Sequence, residues 1–126
     1  MGGISISDML INMNRKISVL YDREHTIGHA YFIPLRDAPS VENLADIFEY
    51  KILPLLQEYF YDDYGKIRLV LGDNRKADAA DQFIIEEKID SGIFGDRGNQ
   101  YIELDNECLY RVNRDAFKRI EAYQNI

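Results

Sequence analysis

One cysteine in 126 residues, no tryptophan and three prolines leave the chain without several common devices. A lone Cys108 can neither close an internal disulfide nor anchor a Cys-rich metal centre. The stapled framework of small secreted domains is therefore excluded, and a reducing cytoplasm is the expected setting. No apolar run approaches the roughly 18–20 residues that cross a bilayer. Met1-Gly2-Gly3 opens no basic segment followed by an apolar core, so neither a secretion leader nor a membrane role is expected. Positive charge is also short: 15 Lys and Arg stand against 22 Asp and Glu, a net charge of −7. The cations are dispersed as Arg15-Lys16, Lys66 with Arg68, Arg75-Lys76, Arg111 with Arg114, and Lys118-Arg119. Gripping a phosphate backbone needs clustered cations, so direct nucleic-acid binding is not expected beyond one local basic groove.

Catalytic signatures are missing as well. The chain has no Gly-x-x-x-x-Gly-Lys-Ser/Thr loop, no Gly-x-Gly-x-x-Gly after a strand, and no serine elbow. Gly92-Ile93-Phe94-Gly95-Asp96-Arg97-Gly98 is rich in glycine but lacks Lys-Ser/Thr and opens no helix, so it reads as a turn. No catalytic residue is assigned.

What is present is an ordinary globular balance, 46% apolar and 29% charged, sized for one domain with a real core. Ser5 or Ser7 caps a first helix to about Tyr21, with Leu10, Met13, Ile17 and Leu20 on one face and Asn12, Asn14, Arg15 and Lys16 on the other. Ser40 caps a second helix carrying Val41, Leu44, Ile47 and Phe48. Pro54 must kink it or start a new one, because proline lacks the amide donor. Asp62-Asp63 caps a short helix with Ile67, Val70 and Leu71 inward, and Gly72 closes it in the left-handed region.

After Gly72 the texture changes. Residues 73–82 read as a polar, mobile loop. Phe83-Ile84-Ile85, residues 101–104 and residues 109–112 are candidate strands. Asn113 caps a last helix with Phe117, Ile120 and Tyr123 inward. The fold class is α+β and mainly α: a helical body over 1–72, then a small β element and a closing helix over 73–126, together one compact domain.

Residues 23–32 carry the densest chemistry: Arg23, His25, Gly28 and His29, closed by Tyr31-Phe32. His25 and His29 stand four apart, a metal-ligand spacing if helical, but Thr26, Ile27 and Gly28 argue against a helix and no metal site is assigned. The other readings are a hydrogen-bonded corner histidine, or polar groups turned toward a ligand or partner chain. Arg23 either pairs with Asp22 or Glu24 on the surface or reaches for phosphate, which guanidinium clamps bidentately. Glu58 and Asp62 are spaced as a general acid/base pair, but capping by Asp62-Asp63 explains them more simply. Tyr50, Tyr59, Phe60, Tyr61 and Tyr64 read as core and rim, since their acidic neighbours do not suit base stacking.

These residues also carry a family likeness. Met13-Asn14-Arg15-Lys16-Ile17, residues 22–32 with Ile27-Gly28-His29-Ala30-Tyr31-Phe32, residues 51–63 with Ile52-Leu53-Pro54-Leu55-Leu56-Gln57-Glu58-Tyr59-Phe60, Leu71-Gly72-Asp73-Asn74, and the tail from Tyr110-Arg111-Val112-Asn113 to Glu121-Ala122-Tyr123 resemble the C-terminal part of McrB-type AAA+ NTPases, a likeness over most of the chain. That family supplies the GTPase or ATPase motor of modification-dependent restriction systems. The resemblance implies an AAA+ lid-type helical bundle, a fragment of a larger chain whose Walker motifs and arginine finger lie upstream. It implies GTP or ATP with Mg in the parent, and no cofactor in the fragment itself. Its partners would be the upstream nucleotide-binding subdomain, neighbouring subunits of a ring and, through the parent, a nuclease subunit. Arg23, His25, Gly28 and His29 would then form a nucleotide-sensing edge, with Arg23 in a second-sensor-like role. The alternative reading is a free-standing acidic protein-interaction module that docks through its Tyr-rich face.

Overall fold

The computed structural model describes residues 3–88 and 108–126. Helix α1 spans Ile6–Leu20, and Ser5 rather than Ser7 caps it, its hydroxyl accepting from the Asp8 amide at 3.2 Å. Met9, Leu10, Met13 and Ile17 form the buried stripe. A 3-10 turn at His29–Phe32 runs into α2, Ile33–Asp37. Helix α3, Val41–Ile47, starts at Ser40, whose hydroxyl accepts from Asn43 N. It passes through one π turn at Phe48–Ile52 into α4, Leu53–Tyr59, with every junction residue in the right-handed region. Pro54 therefore acts as expected, but gently. The amide it lacks is absorbed by a widened turn, not by a break.

The α4–α5 corner departs from common practice. Asp62 N donates to Gln57 O at 3.0 Å and Tyr61 N to Glu58 O at 3.4 Å, the Schellman pattern that closes a helix. Its left-handed positions are filled by Tyr61 (φ 50°) and Asp62 (φ 60°), where glycine is usual. Helix α5, Tyr64–Val70, then begins at Asp63, which accepts from the Lys66 amide. Gly72 closes α5 at φ 73°, as the sequence predicts. A Cβ there would also come within 2.4 Å of the Asn125 carbonyl oxygen, so the terminal segment crosses where only hydrogen fits.

Residues 73–82, expected to be a mobile polar loop, contain instead the most deeply buried ionic group described. Two short 3-10 turns, Asp73–Arg75 and Ala79–Asp81, lead to the strand β1, Ile84–Lys88. The Asp73 side chain is fully buried. Its Oδ1 accepts from Phe83 N and Lys76 Nζ, and its Oδ2 from Ile84 N, all at 2.9 Å. The Lys76 ammonium is itself buried, 4.2 Å from the centre of the Phe83 ring. Arg68 of α5 supports the same junction, donating to the Gln82 side chain and the Ile84 carbonyl.

Strand β1 pairs antiparallel with β2, Cys108–Val112, with Ile84 opposite Val112 and Lys88 opposite Cys108. The expected strand at 101–104 and turn at 92–98 lie outside the described residues. The last helix is shorter than predicted. Asn113 is followed by a 3-10 turn at Arg114–Lys118, and only Ile120–Gln124 is α-helical, α6. Asn113 makes no side-chain cap there; its Nδ2 donates to the Gln82 carbonyl at 3.1 Å, tying the turn back to the chain before β1.

Aromatic packing joins the two parts. Phe48 of the helical body stacks on Phe83 at 5.6 Å and meets Tyr123 edge-on at 4.9 Å, while Phe117 lies 5.3 Å from Phe83. The Tyr123 hydroxyl donates to the Phe117 carbonyl at 2.6 Å, so its burial leaves no orphaned polar atom.

Two substitutions test these readings with opposite signs. Asp73→Ala strands a buried ammonium and two amides, and should lower unfolding free energy by about 3–5 kcal/mol in a denaturant titration. A loss below about 1 kcal/mol would contradict the buried junction. Tyr61→Gly relieves the left-handed backbone and should raise stability by about 1 kcal/mol; a clear loss would show that the tyrosine ring contributes more than its backbone costs.

Candidate nucleotide-sensing corner

Helix α1 ends when the Tyr21 amide donates to Ile17 O and the chain leaves the helical region. Asp22 then organises the turn. Its carboxylate accepts from the amides of Glu24 and His25 at 2.9 and 2.8 Å, and from His25 Nδ1 at 2.6–2.7 Å. The imidazole packs between the rings of Tyr21 (4.6 Å) and Tyr59 (5.3 Å, edge-on). Desolvation pulls the Asp22 carboxyl upward, but the His25 ring and the two turn amides outweigh it and hold it below its ordinary 3.8. Burial raises the Tyr21 and Tyr59 phenols, which stay neutral and pack against the imidazole.

Two residues further on, a second tie fixes the segment. Asn14 of α1 clamps Ile27 through both backbone groups: Ile27 N donates to Oδ1 at 2.6 Å, and Nδ2 donates to Ile27 O at 2.9 Å. Ile27 is buried, and Phe32 enters the core beside Phe48. The amphipathic pattern puts Asn14 on the outer face with Asn12 and gives no sign that a polar residue there grips the loop.

Between these anchors the expected site residues separate into two kinds. His25 is half-buried and engaged by Asp22. Arg23 and His29 are exposed, and Arg23 has no ion pair among the described residues. Gly28 is extended (φ −82°, ψ 157°), and a Cβ there would touch nothing, so the predicted break needs no glycine freedom in this state. His25 and His29 do not share a helical face, because residues 23–28 are not helical. The Glu58–Asp62 pairing also dissolves: Asp62 lies past the end of α4 in the left-handed turn. Of the tyrosines in that cluster, Tyr59 and Tyr64 are half-buried, whereas Tyr61 is 86% exposed.

Helices α1–α5 form a helical body from which one polar corner carries Arg23 and His29 to the surface. The family described as McrB, alpha-helical lid domain, matches residues 5–68, just over half the chain, and the chain belongs to that family. No curated protein matches it. Helices α1–α5 and the corner fall within the match or at its edge, whereas Asp73, the hairpin and α6 come after it.

The Asp22 pairing has a measurable consequence. A carboxyl whose folded value is depressed adds stability that is present above its unfolded value and is lost as pH falls through the folded one. The loss here should fall below pH 3.8. Carboxyl NMR titration should give Asp22 a midpoint under 3.8, and His25→Ala should raise it. A native midpoint at or above 3.8 would contradict the pairing.

Proposed function

We propose that this chain is the nucleotide-responsive lid of an McrB-like AAA+ motor in a modification-dependent DNA restriction system. The observation that carries the reading is the family match over residues 5–68 together with the corner that exposes Arg23 and His29, which Asn14 clamps to α1 at Ile27 and the Asp22–His25 pairing braces within the turn. A lid transmits nucleotide state by moving as a body, so its sensing groups must project from a stiff support and not from a slack loop. Arg23 supplies a permanent charge for phosphate oxygens, and His29 a second polar group further along the same corner. His25, held by Asp22, stiffens the corner.

On this reading GTP or ATP with Mg is held by an upstream nucleotide-binding subdomain. The lid closes over the nucleotide and contacts the next subunit of a ring, and a separate nuclease subunit cuts the DNA. On the same reading, hydrolysis belongs to that upstream subdomain.

With the AAA+ nucleotide-binding subdomain placed ahead of this lid, Arg23→Ala should lower nucleotide turnover at least about tenfold. The thermal midpoint should stay unchanged, since Arg23 is exposed and makes no ion pair among the described residues. Unaltered turnover would sink the sensing role.

A further inference from the structure

Three cations that are scattered in the sequence meet in the fold. Arg15 and Lys16 on α1 and Arg75 after α5 line one groove of about 560 Å³, together with Val19, Leu69 and Ile126. Among the described residues lining it there is no Asp or Glu and no aromatic ring. That is unusual in a chain of net charge −7. Arg15 makes no ion pair among the described residues. Among the described residues Arg75 reaches the Ile126 main-chain oxygen and Lys16 the Val70 carbonyl, each at 3.4 Å. Burial, then the like charges of Arg75 and Lys76, push the Lys16 ammonium below its ordinary value against the opposite pull of the buried Asp73 carboxylate. The three charges thus share one groove in which no described lining side chain is acidic.

The apolar part is as telling. Val19 is 85% exposed and Leu69 41%, both aliphatic and both on the groove. Exposed aliphatics beside three clustered cations suit a partner carrying both carboxylates and branched side chains. They do not suit a single-stranded nucleic acid, whose bases would need aromatic faces to stack on.

We infer that this groove is a docking site for an acidic protein segment, with carboxylates on Arg15 and Arg75 and an aliphatic side chain on Val19 and Leu69. This goes beyond the lid reading and does not depend on nucleotide sensing at Arg23. The geometry gives the two contributions separate residues, so they can be removed one at a time.

The test is fluorescence anisotropy with a short fluorescein-labelled peptide of leucines set among glutamates, with unlabelled oligothymidylate as competitor. The peptide should bind the chain, and binding should weaken with salt. Arg15→Glu should weaken it about tenfold and Val19→Ser severalfold. Both positions are exposed, and circular dichroism checks that each variant stays folded. Oligothymidylate should not displace the peptide. Absence of peptide binding, binding unmoved by Arg15→Glu, or displacement by oligothymidylate would each overturn the inference, the last in favour of a nucleic-acid phosphate groove.

Discussion

The carboxylate of Asp73 is the point on which the two halves of the molecule depend. It sits immediately after the glycine that ends α5 and takes the first two amides entering the β hairpin, those of Phe83 and Ile84. A charge in that position costs desolvation, and Lys76 is pushed below its ordinary value by the same burial even with Asp73 beside it. The pair is not an economical source of stability. What it supplies is direction: the amides of Phe83 and Ile84 have one acceptor, so the chain can enter β1 in one register only. Phe83 is thereby set against Phe48, Phe117 and Tyr123.

This junction explains why the terminal segment packs on a lid that the family match alone would end near residue 68. Gly72 lets Asn125 cross at a distance no side chain permits. Arg68, on the last matched turn, donates across to Gln82 and Ile84. The helical body therefore carries, at its own C-terminal edge, the groups that receive the hairpin and the terminal helix. At the other end of α1 the same logic applies to the corner. There Asn14 and Asp22 supply by side-chain hydrogen bonds the partners that secondary structure would give the backbone of Glu24, His25 and Ile27.

Much of the architecture is legible from residue pattern. The stripe of α1, the caps at Ser5 and Ser40, the disturbance at Pro54 and the left-handed Gly72 follow from local rules, and local interactions decide them. The strands around Ile84 and Leu109 are legible for the same reason. The polar stretch 73–82 is not, because hydrophilic composition does not reveal that one carboxylate will be enclosed by amides at the far end of the stretch. Asn14 escapes likewise: a polar residue on the outer face looks solvated until the loop folds back onto it. Tyr61 runs against a local rule, since nothing in its sequence context announces a left-handed tyrosine. Of the expected edge, Arg23 and His29 project outward, His25 turns inward to Asp22, and Gly28 shows no conformational need for glycine. The groove at Arg15, Lys16 and Arg75 depends on the packing of α1 against α5, which spacing along the chain does not show.

The central claim is that the Asp73 junction makes the helical lid and the terminal hairpin one cooperative unit. Native-state hydrogen exchange tests it directly, by comparing the amides of Phe83 and Ile84 with core amides of α1 and α4 such as Ile17 and Leu56. A single cooperative unit requires that all of them exchange through the same global unfolding, with matching free energies and denaturant dependence. If Phe83 and Ile84 exchange through a smaller, separate opening while Ile17 and Leu56 stay protected, the hairpin is an appendage, and the junction does not hold the molecule together.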